Sequence, residues 1–144
     1  MGGRNLKRET DILLLLLLLR LYKKRIRGRT RFQKIVCVLK EKFDVPFDYK
    51  FRSYYYGPYS RDLADSLSLL EGTNLVNEIT EVLGRGIVRY NYELTEKGKE
   101  ITQKIISEIK DEKFLKEFEE KLDEIQQIPT QELISLSKRL CAID

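Results

Sequence analysis

The sequence predicts an α+β fold, mainly helical. Three observations carry that expectation. Apolar residues recur at helical spacing through most of the chain, the stretch Val88, Tyr90, Tyr92, Leu94 alternates with Arg89, Asn91, Glu93, and Gly84-Arg85-Gly86 joins two strand-like runs. With 144 residues, 42% hydrophobic and 35% charged, the chain is long enough for one core and too apolar for disorder. The lack of His and Trp beside abundant Lys, Glu and Ile fits a thermophile's composition.

Residues 1–8 read as a flexible basic arm. A first helix is expected from Glu9 or Thr10 to about Arg25, containing the unbroken run Leu13–Leu19. The apolar stretch from Ile12 to Leu19 falls well short of the roughly 20 residues that span a bilayer. It also runs into Lys23-Lys24-Arg25 rather than a cleavage site, so no membrane role is expected. A helix apolar on every face needs cover, either from the centre of its own core or from a homodimer interface.

Gly28 ends that helix, and Thr30-Arg31-Phe32-Gln33 has the form of a capping box that opens a second helix over 30–43. Phe32, Ile35, Val36, Leu39 and Phe43 form its apolar stripe, and Asp44-Val45-Pro46 stops it. Extended chain follows, with a short strand near 51–56 and a corner at Pro58-Tyr59-Ser60. Ser60 caps a third helix, 60–72, striped by Leu63, Ala64, Leu67 and Leu70. A hairpin occupies 75–94. Thr95 caps a helix to about Lys110, a further amphipathic helix runs from Glu112 to Gln127, and Thr130 starts a last short one after Pro129.

Helix, helix, strand, helix, hairpin, helix is the order of a winged helix-turn-helix, here with an extended turn and additional C-terminal helices. The expected division is a winged-helix domain over 9–110 and C-terminal helices over 111–144 that serve dimerisation. In such folds the third helix is offered to the DNA major groove and the hairpin, or wing, touches a neighbouring backbone.

Gly28-Arg29-Thr30-Arg31-Phe32-Gln33-Lys34-Ile35, Tyr56-Gly57-Pro58-Tyr59-Ser60-Arg61-Asp62-Leu63 and Tyr92-Glu93-Leu94-Thr95-Glu96-Lys97-Gly98 resemble the YwgA-like group of small prokaryotic proteins, itself similar to the Panacea-type antitoxin domain. The resemblance covers about residues 28–98. It implies a winged-helix fold and a regulatory or antitoxin role, with no chemistry attached.

Charge supports a polyanion-facing surface. Residues 1–42 hold 13 Lys and Arg against 3 Asp and Glu, whereas 43–98 and 99–144 are each net −3. Solvated helix faces explain the same asymmetry almost as well. The expected partner is duplex DNA, bound by a cytoplasmic homodimer acting in transcription. The DNA-contacting residues would be Tyr59, Ser60 and Arg61 at the start of the third helix, Arg85 and Arg89 on the wing, and Arg29, Arg31 and Lys34 on the second helix. Lys23, Lys24, Arg25 and Arg27 extend this surface. Asp62, Asp65 and Glu71 outnumber Arg61 on the third helix, which favours non-specific backbone binding over sequence reading.

Two other readings share the same frame. An antitoxin-like or adaptor module would bind a protein partner without touching DNA. The tyrosines 54, 55, 56 and 59 would stack single-stranded bases beside Arg52 and Arg61, although strand alternation argues that Tyr54 and Tyr56 are buried structural residues and Gly57-Pro58 architecture. Catalysis is not expected without His, a paired nucleophile or a glycine-rich phosphate loop, and no cofactor or metal is implied. Cys37 and Cys141 form no CxxC pattern; reduced thiols are the simpler expectation and a disulfide between them is the open alternative, with Cys37 read as a small buried hydrophobe.

Overall fold

The computed structural model describes residues 2–141, with side chains from Lys7 onward. The chain is α+β and mainly helical: α1 (Gly2–Leu21), β1 (Ile26–Arg27), α2 (Arg29–Phe43), β2 (Arg52–Tyr54), β3 (Gly57–Tyr59), α3 (Arg61–Gly72), β4 (Val76–Gly84), β5 (Ile87–Leu94), α4 (Glu96–Glu108), α5 (Glu112–Gln126) and α6 (Thr130–Leu140). One sheet has the antiparallel order β1-β5-β4, and β2 and β3 form a separate two-stranded ribbon.

Residues 2–8 of the expected basic arm are instead the opening of α1, which starts at Gly2 and ends at Leu21, short of Arg25; Met1 lies outside the described residues. Adding turns to an existing helix costs little once the leucine run is docked. Leu14 through Leu19 are all buried within the single chain, and α1 packs on α4, α5 and β5. The leucine run is therefore core, which removes the reason it offered for a dimer. No helix of the described residues is long and apolar enough to cross a membrane.

The central helix is α2. Phe32 and Ile35 through Leu39 are fully buried, and α2 meets β1, β3, β5, α5 and α6. Its expected capping box does not form. Gly28, at φ 101°, is the N-cap, Phe32 N–H bonds Gly28 O at 3.1 Å, and Thr30 lies inside the first turn. At the other end Asp44 adopts a left-handed conformation (φ 55°) and Val45 N–H returns to Leu39 O at 3.0 Å.

Beyond α2, Val45, Phe47, Tyr49 and Phe51 are buried while the residues between them are exposed. That is strand periodicity without a partner strand, extended chain laid against the core. The turn of the next segment falls at Tyr55-Tyr56, so Gly57-Pro58-Tyr59 is strand β3 and not a corner. Tyr54, Tyr55 and Tyr56 are 62, 93 and 68% exposed, the reverse of the burial expected for Tyr54 and Tyr56. The ribbon packs on α2 and α6 through β3, where Gly57 and Pro58 are buried.

Helix caps after this point are as the sequence indicates. The Ser60 hydroxyl accepts from Leu63 N–H at 3.2 Å and that of Thr95 from Gly98 N–H at 2.9 Å. Phe118, Leu122 and Ile125 of α5 and Leu133 of α6 join the same core as α1 and α2. Cys37 is not a free thiol: a disulfide joins it to Cys141, tying the end of α6 to the middle of α2.

Candidate nucleic-acid interface

The basic residues named from sequence divide three ways. Arg31, Lys34 and Ser60 are inside the protein, and their polar atoms are used by the fold. The Arg31 guanidinium donates to Ile125 O (3.3 Å), Gln126 O (3.4 Å), Ile128 O (2.8 Å) and Thr130 Oγ1 (3.1 Å), with Nε on the Tyr22 hydroxyl at 3.3 Å. It closes the carbonyl end of α5, where a cation also meets the negative end of the helix dipole. Lys34 Nζ donates to Pro58 O at 2.8 Å; burial, reinforced by nearby Lys138, lowers its pKa to about 8. Burial closes Lys34 and Ser60 to a DNA phosphate, whereas Arg31, 9% exposed and committed to these bonds, meets solvent only along the cleft described below.

Arg29 and Arg89 lie at the surface but are already paired. Arg29 stacks 3.8 Å over the Tyr90 ring, bonds the Tyr92 hydroxyl at 3.2 Å and faces Glu78 at 3.4 Å. Tyr92 in turn donates to Glu78 at 2.6 Å, and burial raises its pKa well above the ordinary phenol value. Arg89 holds Glu81 at 2.8 Å, and Asn91 donates to the same oxygen at 2.9 Å. Hydrogen bonds from Asn91 and then Arg89 keep the Glu81 carboxyl below the usual range. Arg61 and Arg85 are exposed and form no ion pair among the described residues. Tyr59 is half-buried.

These residues do not make the single strip that their types implied. What the fold assembles is an open cleft of about 670 Å³ between the α1–β1 loop, β5 and the α5–α6 connection, lined by Lys24, Arg25, Arg27, Arg31 and Arg89. Strand β1 creates it: Ile26 and Arg27 pair with Tyr92 and Asn91, so the run Lys23–Arg27 is pinned beside β5. Lys24, Arg25 and Arg27 are exposed; Arg25 reaches Glu93 at 3.5 Å. A surface pair of that length is worth little and exchanges readily for a phosphate. Sequence periodicity missed β1 because two residues carry no period, and the buried Asn91 because its cover comes from β1. The only signal was the isolated Ile26 within a basic run.

The hairpin β4–β5 ends in an apolar tip. Val82, Leu83, Ile87 and Val88 are 72, 50, 59 and 42% exposed around Arg85, which takes a left-handed conformation (φ 53°). Away from the basic cleft, Asp11, Asp48, Asp62 and Asp65 share an acidic cleft of about 430 Å³ with Lys7 and Arg8. Burial raises the pKa of Asp11, whose carboxylate accepts from Asp48 N–H at 2.8 Å. No group of three or more residues suited to hold a metal ion occurs among the described residues.

No protein-family model matches the chain. It is similar to a protein of Bacillus subtilis (strain 168) named YwgA and described as uncharacterized, with 37% identity over 71 residues. The match covers 49% of this chain and 42% of that protein, so the chain spans less than half the length of the relative it matches.

Proposed function

We propose that this chain is a winged-helix protein that holds the sugar–phosphate backbone of duplex DNA and acts in transcriptional regulation as a homodimer. The cation-lined cleft carries the reading, because Lys24, Arg25, Arg27 and Arg89 converge on one open surface beside the hairpin. The element order α1-β1-α2-β2-β3-α3 followed by a hairpin joined to β1 in one antiparallel sheet supports a winged-helix arrangement with the β2–β3 ribbon inserted before α3. Helix α3, whose exposed face carries Asp62, Asp65 and Glu71 against Arg61, is not the reader in this proposal. Binding is through phosphate, with little sequence preference.

The test is fluorescence anisotropy of a labelled duplex between about 50 and 200 mM salt, the range over which backbone binding weakens steeply. Lys24→Ala with Arg27→Ala is expected to lower affinity and reduce the salt slope by about one for each phosphate contact removed. No affinity for duplex at the low-salt end, or affinity untouched by the substitutions, overturns the proposal.

A second reading, an antitoxin-like or adaptor module that binds protein and not DNA, is favoured by the apolar tip at Val82, Leu83, Ile87 and Val88. A partner protein released by Val82→Lys with Ile87→Lys, together with no duplex binding, would select it.

A further inference from the structure

The ribbon β2–β3 presents aromatic rings that neither reading uses. Tyr55 is 93% exposed and its neighbours Tyr54 and Tyr56 62 and 68%. Pairing of Arg52 with Tyr59, Ser53 with Pro58 and Tyr54 with Gly57 puts Arg52, Tyr54 and Tyr59 on one face. On that face the Tyr54 and Tyr59 rings lie 5.1 Å apart.

The ribbon's base is held firmly. Gln33 bonds both the carbonyl and the N–H of Ser60, at 2.9 and 2.8 Å, and Lys34 Nζ bonds Pro58 O at 2.8 Å. Gly57 sits so close to α2 and α6 that a Cβ there would lie 3.2 Å from Lys34 Cε and 3.3 Å from Ser137 Oγ. Rings on a fixed base lose little freedom when a flat ligand covers them.

Charge selects the ligand. Residues 49–61 contain Lys50, Arg52 and Arg61 and no Asp or Glu. All three cations are exposed, as is Lys138 beside Gly57, and none is in an ion pair among the described residues. The next acid, Asp62, lines the acidic cleft with Asp11, Asp48 and Asp65.

We infer that the β2–β3 ribbon is a stacking platform for single-stranded nucleic acid. Tyr55, Tyr56 and the Tyr54–Tyr59 pair receive base faces, and Arg52, Arg61 and Lys138 receive phosphate. Every base has a π-face, so the site tolerates any sequence. Bases within a duplex are already stacked, which leaves this site to single strands. The inference does not rest on the basic cleft, which lies on other elements.

The experiment uses the full chain with a labelled oligothymidylate and a labelled duplex of the same length. With eight Tyr and no Trp, the protein's own emission is tyrosine's and reports stacking directly. Oligothymidylate is expected to bind and quench that emission, and Tyr55→Ala and Tyr56→Ala are each expected to weaken it by about 5- to 150-fold. Both side chains are exposed, so urea midpoints should not move. Duplex affinity should be unchanged in these variants, and Lys24→Ala with Arg27→Ala should spare oligothymidylate. Single-strand affinity that is absent, or unaffected by both tyrosine substitutions, overturns the inference. Self-association or a protein partner lost in Tyr55→Ala without any oligonucleotide effect also overturns it, in favour of a protein contact. Loss of duplex binding alone counts against the cleft and leaves the ribbon standing.

Discussion

The Gln33 side-chain amide and the Ser60 backbone clasp each other across 27 positions of sequence. Gln33 Nε2 donates to Ser60 O at 2.9 Å and Ser60 N–H donates to Gln33 Oε1 at 2.8 Å, both bonds buried. One side chain thereby satisfies both backbone groups at the point where the tyrosine ribbon becomes α3. Removing Gln33 leaves the buried Ser60 N–H unpaired, at about 1–3 kcal/mol, while Ser60 O keeps the Ala64 N–H at 3.3 Å. Gln33→Ala is expected to cost about 1–3 kcal/mol in urea unfolding. It should also raise amide exchange across 57–60 more than in α4.

Arg31 should behave as a structural residue. Its guanidinium serves α5 carbonyls, Thr130 and Tyr22, a fan that a lysine cannot reproduce. Arg31→Lys is expected to lose about 1–3 kcal/mol and Arg31→Ala more. Duplex affinity measured well below the unfolding midpoint should stay near wild type in Arg31→Lys.

Lys34 gives stability a pH dependence of known sign. With its folded pKa lowered to about 8 against an ordinary 10.5, the unfolded chain holds a proton that the folded chain has shed between those values. Stability therefore rises with pH across that window. The gain from pH 7 to 10 is expected to be about 2 kcal/mol, and Lys34→Met should abolish it. Above about pH 10 the buried Tyr49 and Tyr92 hydroxyls, whose pKa values are raised by burial, act oppositely, because only the unfolded chain ionises them. Wild-type stability should turn down there.

The Cys37–Cys141 disulfide spans 104 positions. Closing a loop of that size restricts the unfolded chain, and losing such a link costs about 2–5 kcal/mol. Cys141→Ser should show that loss without reductant, and wild type should fall to the same midpoint when reductant is added. Thiol titration of unreduced, denatured protein should find no free thiol among the two cysteines.

Gly98 looks replaceable, since it stands in the first turn of α4 where alanine is the better helix former by about 1 kcal/mol. A Cβ there would lie 2.2 Å from Leu75 O, a backbone atom. Gly98→Ala is therefore expected to destabilise by about 1–3 kcal/mol, the opposite sign to propensity. The same substitution at open Gly72 should be nearly neutral or favourable.

Local chemistry was legible where it is local. The Ser60 and Thr95 caps, the Gly84-Arg85-Gly86 tip, the β4–β5 hairpin and the three C-terminal helices all follow from spacing and cap residues within a few positions. The candidate site was legible only as composition. The excess of cations at 23–34 was visible, but an arginine beside a future carbonyl end and one beside open water look alike in sequence. Arg31 and Arg27 differ by what α5 and β1 bring to them.

By itself the sequence determined the α+β class, the order of most elements and the basic first third, because these depend on side-chain period and residue type. Tertiary structure alone decided that the leucine run is core and that Thr30 caps nothing while Gln33 reaches Ser60. It also decided that Arg31 and Lys34 are spent inside, and that Tyr54–Tyr56 face water. Each depends on a partner tens of residues away, and no local periodicity carries the distance at which a buried polar group finds its mate.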